Sequence, residues 1–146
     1  MMFIEVIMDL NQPKLMSDII DVGVANGDIH YILTVGFKMI VVAITGASGV
    51  IYGIRLLEAL KELDIENALV ISDAAKIVIE SETKYNIDDV IAIADKYYDF
   101  NDLTASINSG SFKADGLAIV PCSMKTLSSI ANGYGANTIT RVADVS

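Results

Sequence analysis

A strand-like apolar run that leads directly into a glycine-rich turn is the feature that most restricts the fold of this chain. Residues 39–45 read MIVVAIT, a run rich in β-branched side chains without polar alternation. That pattern is typical of a parallel strand buried on both faces. Residues 46–49 read GASG and end the run, and residues 50–63 then carry apolar side chains at helical spacing. A buried strand that turns straight into a helix predicts an α/β fold around a parallel sheet.

The same strand–turn–helix pattern recurs along the chain. Two further apolar runs predict two more strands, and a helical pattern follows each of them. Asp73, a residue of the N-cap type, stands at the start of the helix after the second strand. A doubly wound, mostly parallel sheet with helices on both faces is therefore expected. The further predicted segments are strands over 68–72 and 116–120, helices over 73–80, 88–94, 124–131 and from 137 onward, and a loop with at most a short strand over 97–111.

Residues 1–38 differ in pattern from the rest of the chain. Their apolar residues keep neither a helical nor a strand period, and Pro13 lies among them. We expect Met39 to open the folded domain and residues 1–38 to form an extension of unknown role. The alternative is an additional helix and strand that pack on the domain.

Charge and cysteine content exclude several classes of protein. The chain has 10 basic and 19 acidic residues and a formal net charge of −9, which disfavours nucleic-acid binding. A single cysteine, Cys122, excludes an internal disulfide framework and a cysteine-rich metal cluster. No apolar run reaches the roughly 18 residues of a spanning helix. We therefore expect a cytoplasmic protein without a membrane span.

Ligands of doubly wound folds bind at the carboxyl ends of the strands. The polar segments after the predicted strands are residues 46–49, 72–73 and 121–126, and they form the predicted site. The small residues of the first segment let a phosphate or a ring approach the backbone, although a tight turn without a ligand has the same composition. Gly46, Gly49 and Gly53 fit the dinucleotide fingerprint poorly, which disfavours a nicotinamide reductase.

The remaining polar residues are ambiguous when each is considered alone. Ser123 and Thr126 can cap a helix or bind an anion, and Lys125 can add positive charge. Cys122 is more often a small buried apolar residue than a nucleophile. Taken singly, Glu82 reads as a solvated surface residue and Arg141 as an ordinary helical arginine. The pair at 97–98 reads as tyrosines of the core or of a sheet edge.

In combination these motifs resemble the UbiX/Pad family of flavin prenyltransferases. The resemblance runs in order from about Met39 to the last residue, through segments that read ITGASGVIYGIRLL at 44–57, VISDAA at 70–75, SET at 81–83, PCSMKT at 121–126 and TRVADV at 140–145, with the Ser-Gly-Ser of 109–111 between them. It implies a Rossmann-like or flavodoxin-like fold, an FMN cofactor, dimethylallyl phosphate as substrate and a homo-oligomer, usually a dodecamer. The prenylated FMN that such an enzyme makes serves a UbiD-type decarboxylase.

The resemblance also implies roles for individual residues. Ser48 and Glu82 match the residues that assist proton movement, and Ser109 and Arg141 match positions near the substrate phosphate. The residues that match FMN contacts are Gly46, Ala47, Ser48, Ser72, Ser123, Met124, Lys125, Thr126 and Arg141. Family members continue past the position of Ser146 with further phosphate-binding residues, so we expect that site to be incomplete in this chain.

Two related functions remain as alternatives. One is a non-catalytic FMN-binding subunit of a decarboxylase system. The other is a flavin-dependent cysteine decarboxylase, a relative with the same fold and cofactor. The PCSMKT segment and the absence of a histidine from residues 39–146 disfavour the latter.

Overall fold

The computed structural model describes residues 39–146, and the expectation for residues 1–38 lies outside that range. The strands of this part of the chain are β1 (Met39–Ile44), β2 (Glu66–Ile71), β3 (Lys96–Tyr98) and β4 (Gly116–Ile119). These four strands form one parallel sheet in the order β3-β2-β1-β4. Strand β1 lies in the interior of this sheet, as expected from its run of apolar residues.

Helices and turns cover both faces of this sheet. The helices are α1 (Val50–Glu62), α2 (Asp73–Glu82), α3 (Ile87–Ile93), α4 (Met124–Ala131) and α5 (Thr138–Val145). Helix α1 contacts β1 and β2, and Gly53 of α1 lies against Ile44. On the opposite face, Val41 and Ala43 pack with Ile139 of α5 and with Ile107 of a 3-10 turn at Ser106–Asn108. This three-layer α/β/α arrangement confirms the predicted fold class.

Side-chain caps define where most of these helices begin. Ser72, Asn86, Ser123 and Asn137 each accept a hydrogen bond from a backbone N–H of the first helical turn. Such a cap satisfies one of the donors that have no partner inside the helix. The prediction that Asp73 caps α2 is wrong: Ser72 is the N-cap, and Asp73 is the first helical residue, where its carboxylate interacts favourably with the helix dipole.

One prediction about a strand also needs correction. The strand predicted at 116–120 is half-buried rather than buried, because β4 lies at an edge of the described sheet and pairs with β1 alone. The short strand that the sequence allowed within the loop at 97–111 is present as β3, which begins one residue earlier and forms the other edge. Tyr98 of β3 contacts Phe112 in a T-shaped arrangement, with ring centroids 6.2 Å apart. This contact agrees with the prediction that the tyrosine pair at 97–98 packs in the core or at an edge strand.

Within residues 39–146, no helix is both long enough and apolar enough to cross a membrane.

Candidate functional site

The order in which strands are added to the sheet reverses at β1. Strands β2 and β3 extend the sheet on one side of β1, and the chain then crosses back to place β4 on the other side. A reversal of this kind opens a crevice at the carboxyl ends of the strands on either side of it. The turns that follow β1 and β4 flank the reversal, and the turn that follows β2 lies next to them. We call residues 45–49, 72–73 and 120–123 the first, second and third turns.

Backbone contacts hold the three turns together. The N–H of Ser72 donates to the carbonyl of Ile44 at 3.0 Å, and the N–H of Thr45 donates to the carbonyl of Pro121 at 3.2 Å. Gly46 lies so close to Ala74 that a side chain at position 46 would overlap the methyl group of Ala74. The three segments predicted as the site therefore lie at one edge of the sheet, as expected.

Ser48 and Glu82 meet beside the first turn, although they are far apart in sequence. The Ser48 hydroxyl donates to Oε1 of Glu82 at 3.0 Å, and the N–H of Gly49 donates to Oε2 at 3.2 Å. Both side chains are exposed. Gly49 has φ 93°, in the left-handed region that favours glycine, and this conformation directs its N–H toward the carboxylate. The arrangement pairs a hydroxyl with a carboxylate that can accept its proton.

The position of Glu82 depends on the segment after it. Glu82 is the last residue of α2, and the Thr83 hydroxyl donates to the carbonyl of Ile79 at 2.7 Å, which closes the helix end. The Tyr85 hydroxyl then donates to Glu58 of α1 at 2.8 Å. This contact ties the segment after Glu82 to the helix that the first turn begins. Sequence reasoning missed Glu58 and Tyr85 because nothing in their spacing signals the pairing.

Removing the Tyr85 hydroxyl is expected to raise the pKa of Glu58. The hydrogen bond from Tyr85, and after it the one from Arg55, lowers the pKa of the Glu58 carboxyl below its usual range. Tyr85→Phe should move that pKa part of the way back, and NMR titration of the carboxyl carbon measures it. Because the folded pKa is lowered, the stability from this contact is present above the usual carboxyl pKa. It is lost as the pH falls through the folded pKa.

Tyr52→Phe is the matched control for that titration. Tyr52 also belongs to α1 but is 70% exposed, so its variant should leave the pKa of Glu58 unchanged. An unchanged pKa in Tyr85→Phe would mean that the Tyr85–Glu58 contact does not form in solution.

The third turn presents its polar groups at the start of α4. The Ser123 hydroxyl accepts from the N–H of Thr126 at 3.3 Å and donates to the Thr126 hydroxyl at 3.1 Å. Met124 and Lys125 are exposed, and their N–H groups belong to the first turn of α4, where no intrahelical acceptor exists. Cys122 lies in this turn and is exposed, contrary to the expectation of a buried side chain.

The structure does not bring Ser109 or Arg141 into contact with the three turns. The Ser109 hydroxyl lies 2.8 Å from that of Ser111 in an exposed turn. The Arg141 guanidinium pairs with Asp144 of the same helix at 2.6 Å. Their assignment to a substrate phosphate thus remains a prediction. Within residues 39–146, no group of three or more histidine, cysteine or acidic side chains is placed to hold a metal ion.

The fold and the three turns define an α/β domain with a candidate ligand site at the carboxyl edge of its parallel sheet. The model of the flavoprotein family matches residues 33–146, and the chain belongs to that family.

Individual relatives extend this assignment. The chain is 53% identical to the flavin prenyltransferase UbiX of Thauera aromatica over 106 residues, which are 73% of this chain and 55% of that protein. It is also 53% identical to the mitochondrial flavin prenyltransferase PAD1 of Saccharomyces cerevisiae over 109 residues, 75% of this chain and 45% of the relative. The chain thus spans about half the length of the curated relatives that it matches. The resemblance to the UbiX/Pad family is confirmed.

Solved structures agree with the sequence relatives. AnUbiX (PadA1), in complex with FMN and dimethylallyl pyrophosphate, matches with a TM-score of 0.73 and 48% identity over 75% of this chain and 58% of that one. A dodecameric FMN-dependent UbiX-like decarboxylase from Escherichia coli O157:H7 matches with a TM-score of 0.72 and 46% identity. That match covers 73% of this chain and 59% of the other.

Proposed function

We propose that this protein is a flavin prenyltransferase, which joins a dimethylallyl group from dimethylallyl phosphate to N5 and C6 of FMN. The contact between Ser48 and Glu82 at the carboxyl edge of the sheet carries the proposal. It places a proton-accepting pair beside turns whose backbone a flavin can approach. The prenyltransferase names of the relatives and the bound ligands of AnUbiX support the choice of reaction.

The residues of the three turns fit an FMN molecule. A flavin needs an apolar surface for its ring and hydrogen-bond donors for its phosphate and its pyrimidine edge. Met124, which is 77% exposed, offers apolar surface at the start of α4, and the small residues Gly46 and Ala47 leave the backbone of the first turn accessible. We assign the FMN contacts to these residues and to Ser48, Ser72, Ser123, Lys125, Thr126 and Arg141.

The chemistry of the site depends on these groups. Reduced FMN, when bound, supplies the atoms that accept the prenyl group. Ser48 and Glu82 move the proton that must leave the flavin, since the hydroxyl already donates to the carboxylate. The leaving phosphate needs positive charge and hydrogen-bond donors, and Arg141 and Ser109 are the side chains that we assign to it. Arg141 must exchange its contact with Asp144 for the phosphate.

We assign the product to a UbiD-type decarboxylase, which uses prenylated FMN. A homo-oligomer is also proposed, because the matched Escherichia coli protein is dodecameric and because α4 exposes Met124 and Leu127. A cytoplasmic location fits the single free cysteine, Cys122.

Incubation of the purified chain with reduced FMN and dimethylallyl phosphate should yield a flavin heavier by one prenyl unit. Mass spectrometry of the extracted flavin measures this gain, and the same mixture without dimethylallyl phosphate is the control. Recovery of protein-bound but unmodified FMN would contradict prenyl transfer and would favour a flavin-binding component of a decarboxylase system. Failure to bind FMN at all would contradict the proposal as a whole.

A further inference from the structure

Thr45 links the first turn, which it begins, to the third turn, which follows the neighbouring strand β4. It is the last residue before the glycine-rich turn, and it is 1% exposed. Its hydroxyl donates to the carbonyl of Pro121 at 2.7 Å and accepts from the N–H of Ser123 at 2.7 Å. Its own N–H also donates to Pro121, at 3.2 Å. One buried residue thus makes three hydrogen bonds to the segment that begins α4.

The chemistry of this contact requires a hydroxyl group. A hydroxyl can donate one hydrogen bond and accept another at the same time, which a methyl group cannot do. Burial removes water as a substitute partner, so loss of the hydroxyl leaves the N–H of Ser123 without an acceptor. Valine is close to threonine in volume but carries a methyl group in place of the hydroxyl, so it can make neither hydrogen bond, whereas alanine removes the hydroxyl without placing a methyl group beside Pro121 and Ser123.

We propose that Thr45 is a positioning residue for the flavin, in that its hydroxyl sets the spacing between the first turn and the start of α4. The inference rests on the proposed function. Thr45 acts through its neighbours: on one side it precedes Gly46, and on the other it fixes Ser123, which caps the helix that carries Met124 and Lys125. A ligand that contacts both turns must bind more weakly when their separation is no longer fixed.

Flavin titration of variants at position 45 tests this role. Thr45→Val should weaken FMN binding by about tenfold, the factor that corresponds to one lost buried hydrogen bond. It should also reduce the visible circular dichroism of the bound flavin, because the ring environment becomes less uniform. Thr45→Ser, which keeps the hydroxyl, should restore both. Thr45→Ala removes the same hydroxyl and takes the place of the valine variant if that variant does not fold.

Asn67→Leu separates positioning from a general loss of stability. Asn67 is buried near the amino end of β2, away from the three turns, and its side chain donates to Asp95 at 2.9 Å. Its variant should lower the free energy of unfolding but keep the affinity for FMN. Amide hydrogen exchange at Ser123, measured without flavin, should accelerate in Thr45→Val and stay slow in Asn67→Leu.

The outcomes distinguish this inference from the proposed function. An unmodified chain that does not bind FMN would overturn the proposed function and the role of Thr45 with it. Normal FMN binding by both the unmodified chain and Thr45→Val would overturn the positioning role alone. An equal loss of affinity in Thr45→Val and Asn67→Leu would also overturn it, since stability would then explain the effect.

Discussion

Replacement of Gly53 by alanine is expected to destabilise the domain by on the order of 2 kcal/mol. Gly53 lies on the buried face of α1, where the helix crosses the sheet. A Cβ atom there would overlap the carbonyl oxygen of Val120 and lie 2.9 Å from Cγ1 of Ile44. Because the overlap involves a backbone oxygen, the overpacking cost should lie near the upper end of its usual range of about 1–3 kcal/mol, and the gain of roughly 1 kcal/mol from placing alanine in a helix offsets only part of it. Urea denaturation measures the change.

Gly110→Ala is the control for this loss of stability. No heavy atom lies within 4 Å of the position that a Cβ atom would take at Gly110. The free energy of unfolding of that variant should therefore change by less than about 0.5 kcal/mol. Equal stability of the Gly53 and Gly110 variants would show that α1 packs farther from Val120 than the structure places it.

Glu82→Gln is expected to slow prenyl transfer by about 100-fold or more while leaving FMN affinity within about threefold. Glutamine keeps the size of the side chain and can still accept from the Ser48 hydroxyl through its carbonyl oxygen. It cannot take up a proton at neutral pH, so the proposed relay is interrupted without removal of the contact. The rate of formation of the prenylated flavin by mass spectrometry gives the effect on transfer, and flavin fluorescence gives the affinity.

Glu80→Gln makes the same change of charge two residues earlier. Glu80 belongs to α2 and is exposed, and neither Ser48 nor Gly49 donates to it. Its variant should retain the rate of the unmodified protein. A Glu82→Gln variant with an unaltered rate would remove Glu82 from the proton relay, and equal losses in both variants would point to the total charge of α2 instead.

Local sequence patterns accounted for the central part of the fold. The apolar run of β1 has no polar alternation, and only a strand covered on both faces buries all of it. The turns after β1, β2 and β4 carry residues suited to helix starts, and parallel strands place their carboxyl ends at one edge. These facts predicted the location of the site. The half-buried state of β4 escaped prediction, because edge positions depend on which strands pair.

The amino-acid sequence by itself determined the succession of strands and helices along the chain, the edge of the sheet at which the three turns of the candidate site lie and the family to which the chain belongs. Periodicity and turn residues act over a few neighbouring positions, so they can be read along the chain. The tertiary structure decided which distant groups meet, as Ser48 meets Glu82 and Thr45 meets Pro121 and Ser123. Those contacts depend on strand order and helix packing, which bring together residues that no local pattern links.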